Sequence, residues 1–206
     1  MAIEIFDTIE QGTEEWLAVR AGIPTASVFK EVMMKPGPRG GIPKGRQKLL
    51  WKLAGEAISG IPESGYSNAA MERGHEREDE SRSLYSMITD NEVRQVGFIR
   101  NGNCGCSPDG LIDDDGMWEN KDAIGSVQIE RLLNGKVIPS EHMAQCQGAL
   151  MVAERDWIDF TSYSRGLPPL IVRVRRDERY IAGLRIDVNN FVAELNDLIE
   201  RIRRMS

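Results

Sequence analysis

GCSPDGLIDDDGMWENKDA, residues 105–123, sets Asp109 in one short segment and Glu119 in the next, with the acidic turn DDDG between them. The flanks read as strands over 104–112 and 116–122, joined by that turn. On an extended strand, residues two apart share a face, so Glu119 and Lys121 project together while Trp118 and Asn120 point the other way. A neighbouring strand carrying Asp109 brings a second carboxylate alongside Glu119. Two close carboxylates repel unless something positive lies between them, and a divalent cation supplies that. Mg2+ suits such a site, since it takes few protein oxygens and completes its shell with waters and phosphates. Lys121 then lies where a water on that ion can be oriented or deprotonated. A surface Glu–Lys pair beside an acidic turn is the plainer reading, and E-x-K alone does not exclude it. A calcium loop is excluded: placing Gly116 at the loop's glycine puts Leu111 at the first ligand position.

Outward from this stretch, the period changes along the chain. Residues 13–22 and 25–34 read as short helices capped by Thr13 and Thr25. A glycine- and proline-rich loop follows at 35–45. Helical spacing returns over 47–58 and 68–88, the second with Ala69, Ala70, Leu84, Tyr85 and Ile88 towards its buried side. A strand over 92–100 joins 104–112 and 116–122 in an antiparallel meander. Helices over 126–135 and 140–154 follow, with Ser126 and Ser140 as caps. Strands at 156–164 and 170–176 precede a long amphipathic helix over 177–204, with Tyr180, Leu184, Phe191, Leu195, Leu198 and Ile202 on its apolar stripe. That order predicts one domain over 1–206, an α/β (α+β) fold with a central mixed sheet flanked by helices.

The 206 residues, 41% hydrophobic and 28% charged, suit one soluble globular domain with a real core. No apolar run approaches the roughly 20 residues that span a bilayer, and the acidic start MAIEIFDTIEQG does not read as a signal peptide, so the expected location is cytoplasmic. Cys104, Cys106 and Cys146 are odd in number and match neither a disulfide framework nor, with His75 and His142, a standard zinc spacing. The net charge of −6 argues mildly against nucleic acid, but its distribution matters more. Lys35, Arg39, Lys44, Arg46, Lys48 and Lys52 form an acid-free run, and Arg165, Arg173, Arg175, Arg176 and Arg179 a second basic set. Acids crowd 76–80 and 113–115. Such segregation suits either a metal in an acidic pocket with phosphates on a basic rim or simply solvated faces.

SPDG followed by E-x-K resembles the PD-(D/E)XK nuclease superfamily, and within it the lambda-exonuclease-like, YqaJ-type alkaline exonucleases. The resemblance also takes in QGTEEWLAVRAGIPTAS, RGHERE, HMAQCQGALMV and RRDERYIA, and so runs over nearly the whole chain. It implies a restriction-endonuclease-like core and an enzyme that digests one strand of linear duplex DNA from its 5′ end to mononucleotides. Two Mg2+ ions per site, with Mn2+ able to substitute, a homotrimeric ring threaded by DNA, and a single-strand annealing partner in recombination belong to the same implication.

Carried over residue by residue, the resemblance makes Asp109 and Glu119 metal-binding carboxylates and Lys121 the catalytic lysine. Glu78 completes the metal shell, and Asn120 offers its backbone carbonyl. Gln145 and Gln147 match a Q-x-Q behind the catalytic strands and are assigned with the catalytic residues, one of them bonding the attacking water, the lysine or the substrate; simple helix packing is the plainer reading. Arg20, Ser27 and Ser107 match a grip on a terminal 5′ phosphate, with Ser27 in the first turn of the 25–34 helix, where free N–H groups attract anions. The family usually has an apolar residue between glutamate and lysine; Asn120 must therefore be hydrogen-bonded or partly exposed, because an unpartnered buried amide costs about 1–3 kcal/mol. Asp122 stands where the family often has cysteine, and should point away from the site. A structure-specific or restriction-type endonuclease and a catalytically inert DNA-binding relative are the competing readings.

Overall fold

The computed structural model describes residues 2–38, 40–63 and 68–205, the side chains of 68–76 excepted. Arg39 of the first basic run, His75, and the packing expected of Ala69 and Ala70 therefore lie outside the described residues. In chain order the elements are β1 (Glu4–Phe6), α1 (Glu14–Arg20), a 3-10 turn (Ala26–Val28) leading into α2 (Phe29–Val32), α3 (Lys44–Ser59), α4 (Asn68–Thr89), β2 (Phe98–Asn101), β3 (Cys104–Cys106), β4 (Gly110–Ile112), β5 (Gly116–Asp122), α5 (Gly125–Leu133), α6 (Ser140–Ala153), β6 (Trp157–Tyr163), β7 (Leu170–Arg175) and α7 (Glu178–Arg203).

The strands form two sheets. β1-β2-β3 is antiparallel; β4-β5-β6-β7 is mixed, with β5 and β6 parallel and the other pairs antiparallel. The mixed sheet with flanking helices is the expected architecture, but the meander is corrected. The strand expected over 104–112 breaks at Ser107-Pro108-Asp109, and its two halves belong to different sheets. Proline has no N–H to continue a ladder. Beyond it, Gly110 permits an approach that a side chain would block, since a Cβ there would meet Val93 Cγ1 at 2.2 Å. The break lifts Asp109 out of any ladder and sets it at the junction of the sheets. The strand expected over 92–100 is likewise shorter, with Arg94 making only an isolated bridge to Leu111.

The buried β5 is sandwiched between α4 and α6. Met117 joins the core cluster that holds Leu150 and Phe160, while Trp118 packs on Tyr85 of α4 at 5.8 Å between ring centroids. α7 closes the core with Ile181, Leu184, Val188, Phe191 and Leu195 at helical spacing, each worth roughly 1.5–3 kcal/mol on burial. Its cap is Asp177, whose carboxylate accepts from the N–H groups of Arg179 and Tyr180. Thr13 caps α1 as expected. Ser126 and Ser140 do not cap: their helices start one residue earlier than, or at, those serines, after Ile124 and Pro139. Ile88 and Ile202, placed on buried stripes by spacing, are exposed near their helix ends.

Candidate active site

β5 turns the two-residue period into a site. Trp118 and Asn120 face α4, where the Asn120 amide oxygen accepts from the Ser81 hydroxyl at 2.7 Å. Glu119 and Lys121 face the other way, towards α6. Lys121 Nζ and Gln145 Nε2 both donate to Glu119 Oε1, each at 2.5 Å. Asp109 arrives from the sheet junction and accepts the Asn120 backbone N–H at 2.6 Å. Gln11 braces that junction by donating to the carbonyls of Val96 and Pro108 at 2.9 Å each. Glu78 reaches in from α4 and is held by Arg82 at 2.8 Å.

These groups line one cavity of about 660 Å³. Glu78, Asp109, Glu119, Asn120, Lys121 and Gln145 stand on its wall, and so do Arg20, Ser27 and Ser107. The sequence-expected site residues are thus brought together, apart from Gln147. That glutamine is buried away from the cavity, where its amide donates to the Arg175 carbonyl (2.8 Å) and accepts from the Asp177 N–H (3.0 Å). It ties α6 to the β7–α7 junction, and its catalytic assignment is corrected to a structural one. Asp122, at the edge of the cavity, turns its carboxylate to Arg77 of α4 at 2.6 Å, on the side of β5 that carries Trp118 and Asn120 and away from Glu119 and Lys121, as expected.

The electrostatics are unbalanced. Burial pushes the Glu119 carboxyl up to about 7, with Asp109 and Glu78 adding repulsion that Lys121 offsets only in part. Glu78 is raised to about 7, by burial first and then by Asp109, and Asp109 is raised by burial despite Lys121 and the Asn120 N–H. Burial alone would lower the Lys121 ammonium, but Glu119 and Asp109 together outweigh it and hold the proton on more firmly than in free lysine. Three carboxylates against one ammonium and the Arg82 guanidinium leave a deficit of positive charge.

The donor set is all oxygen, as Mg2+ prefers. One oxygen of each carboxylate is engaged by the protein; among the described residues the other accepts no hydrogen bond. No three of His, Cys, Asp and Glu gather closely enough to enclose an ion among the described residues, so the carboxylates must draw in to hold one. The chemistry of the group fits a divalent cation, with Glu119 giving up part of its contact with Lys121. Cys106 and Cys146 are buried thiols whose pKa burial raises, and they carry no sign of reactivity.

The other end of the cavity is built on α1. Arg20 lies over the Trp16 ring, 4.0 Å from its centroid, and donates to Thr25 Oγ1 at 3.3 Å. Thr25 Oγ1 lies 3.1 Å from Ser27 Oγ, and the Trp16 indole N–H donates to Ser107 Oγ at 2.9 Å. The helix expected over 25–34 is a 3-10 turn and a four-residue α-helix, too short for a strong dipole, so side-chain donors replace the helix-end argument for Ser27. Trp16 was not singled out in the sequence, since a tryptophan on a short helix gives no signal of facing a cavity; Thr25, expected as a helix cap, makes no side-chain capping bond and turns to Arg20 and Ser27 instead.

The basic rim is mostly consumed within the fold. Lys35 pairs with Asp187, Arg46 with Glu194, Lys52 with Glu56, Arg165 with Glu80, Arg173 with Asp159 and Arg176 with Glu178. Most of the charge segregation read along the chain is cancelled in space. Among the described residues no helix is long and apolar enough to cross a membrane.

A profile described as the YqaJ-like viral recombinase domain matches residues 15–156, from α1 through α6. The crystal structure of LHK-Exo, an alkaline exonuclease from Laribacter hongkongensis, is 35% identical, with a TM-score of 0.81 over 94% of this chain and 97% of that one. LHK-Exo in complex with dAMP gives 36% identity and a TM-score of 0.82 over the same shares. A phage related exonuclease from Haemophilus somnus 129PT shares the fold at a TM-score of 0.66 and 16% identity, over 87% of this chain and 96% of that one. No curated protein sequence matches the chain.

Proposed function

The chain belongs to the YqaJ-like viral recombinase family and is related to alkaline exonucleases, and from that premise we propose that it is a Mg2+-dependent 5′→3′ exodeoxyribonuclease acting on ends of linear duplex DNA. The observation that carries the proposal is one cavity lined both by Glu78, Asp109, Glu119 and Lys121 and by Arg20, Ser27 and Ser107. The first group performs hydrolysis; the second takes the terminal phosphate. A nuclease that must fill the second before the scissile bond meets the first acts only at ends. The complex of its relative LHK-Exo with dAMP is in keeping with a mononucleotide product.

In this mechanism Glu78, Asp109, Glu119 and the backbone carbonyl of Asn120 would hold the metal, two ions per site being expected from the resemblance. When bound, the metal lowers the pKa of water and stabilises the leaving oxygen. Arg20 meets phosphate oxygens through its planar fork of donors. The Asn120 N–H holds one oxygen of Asp109 and Gln145 one of Glu119, so both carboxylates are kept at the cavity wall and only a small movement would draw them onto an ion. Lys121, protonated and half-screened by Glu119, is placed to orient the attacking water and to neutralise charge on the phosphate. Assembly as a ring of three copies and hand-over of the 3′ strand to an annealing protein extend the proposal on the resemblance alone.

The test is digestion of linear duplex carrying 5′-phosphate or 5′-hydroxyl ends, with and without Mg2+, beside supercoiled circular DNA. The expected result is Mg2+-dependent release of mononucleotides from phosphorylated linear DNA and an intact circle. Nicking of the circle supports an endonuclease instead, and no hydrolysis of either substrate an inert relative.

A further inference from the structure

The phosphate end of the cavity is arranged by an uncharged side chain. Trp16 on α1 donates its indole N–H to Ser107 Oγ at 2.9 Å and to the Gly97 carbonyl at 3.0 Å. Its ring face carries the Arg20 guanidinium at 4.0 Å. A serine hydroxyl has one proton and two acceptor sites. The indole takes an acceptor site of Ser107, and among the described residues nothing accepts its proton, so the hydroxyl is left as a donor in the cavity that it lines. The same indole holds Arg20 on its face by cation–π attraction. One side chain thus aligns a neutral donor and a charged one on the same space.

Resting on the end-dependent reading above, we infer that Trp16 is the positioning residue that makes this cavity select a phosphomonoester terminus over a hydroxyl one. A terminal phosphate offers only acceptors and negative charge, which match a fixed O–H and a fixed guanidinium. A hydroxyl terminus offers neither the charge nor the array of acceptors. Without the indole N–H, the Ser107 hydroxyl is no longer oriented, and its proton need not stay aimed into the cavity.

Trp16→Phe separates this role from packing, because it keeps a ring beneath Arg20 and deletes the N–H. The measurement is steady-state digestion of linear duplex with phosphorylated and hydroxyl 5′ ends by wild type, Trp16→Phe, Ser107→Ala and the double variant, with thermal melts of each. The expected result is a KM for phosphorylated ends raised roughly tenfold, a smaller change in kcat, and a reduced preference for phosphate. The double variant should lose no more than Ser107→Ala, since both changes remove one contact. Equal losses on both kinds of end, or additive losses, overturn the inference in favour of a structural role. If wild type itself has no phosphate preference, the reading of Arg20, Ser27 and Ser107 as a phosphate pocket fails and this inference with it; if wild type has one and Trp16→Phe keeps it, only the inference about Trp16 fails. Should Trp16→Phe melt early, benzothienylalanine placed at position 16 by codon suppression removes only the N–H, and the same outcomes apply.

Discussion

Asp159 on β6 and Glu119 on β5 are equally buried, each 2% exposed, on opposite faces of the same mixed sheet. Asp159 is matched. Its two oxygens accept from the Arg173 guanidinium at 2.8 Å each and from the Tyr85 hydroxyl at 2.6 Å, and that guanidinium stacks 3.6 Å from the Trp157 centroid. Glu119 is not matched. It shares the Lys121 ammonium with Asp109, and Glu78 opens on the same cavity. A buried carboxylate with its own counter-ion holds elements together, here α4 to β6 and β7. A buried excess of carboxylates marks a place where charge must be supplied from outside, as functional sites do.

The two faces should break differently under mutation. Lys121→Ala or Glu119→Ala is expected to cut hydrolysis of linear duplex by about 10²–10⁴-fold while leaving a cooperative melt and DNA binding. Wild-type-like turnover by either variant would contradict the assignment. Asp159→Asn should do the reverse, lowering unfolding free energy by about 3 kcal/mol because it leaves Arg173 half-paired, with little change in turnover per folded molecule. Denaturant titration beside active-site-normalised kinetics separates the two outcomes.

The pH dependence sharpens the contrast. Glu78 and Glu119 move from about 4.5 when unfolded to about 7 when folded without metal. The folded state then binds more protons between those values, so their contribution is full below about pH 4.5 and is lost as pH rises through 7. Chelator-treated protein should therefore melt at lower temperature at pH 8 than at pH 5.5, and Glu119→Gln should flatten that trend. A flat wild-type profile would show that the carboxylates are already compensated. The smallest effects should fall on the paired glutamines: Gln145→Ala should slow hydrolysis about tenfold, and Gln147→Ala should cost about 1–2 kcal/mol of stability with kcat kept.

The glutamines also show what the sequence made legible. Residues two apart on a strand share a face, which placed Glu119 and Lys121 together correctly. Residues two apart on a helix lie on opposite sides, so Gln145 and Gln147 of α6 never both had a claim on one site. The short segments around Asp109 and Glu119 were readable because a tight acidic turn fixes their adjacency. The division of 104–112 between two sheets was not, because it depends on Pro108 and on the fit of Gly110 against Val93. Parallel pairing of β5 with β6 crosses two intervening helices and leaves no local mark. Part of the first basic run was hidden for the same reason: Lys35 and Arg46 pair with Asp187 and Glu194 on α7, about 150 residues away. Trp16 was hidden because its role arises only where α1 meets the sheet junction.

The most direct measurement is calorimetric titration of Mg2+ and Mn2+ into wild type, Glu119→Gln and Asp159→Asn near pH 7. Saturable binding with proton release in wild type and in Asp159→Asn, abolished in Glu119→Gln, is the expected result. Absence of binding in wild type, or undiminished binding in Glu119→Gln, would contradict the claim that the uncompensated face of β5 is a metal site.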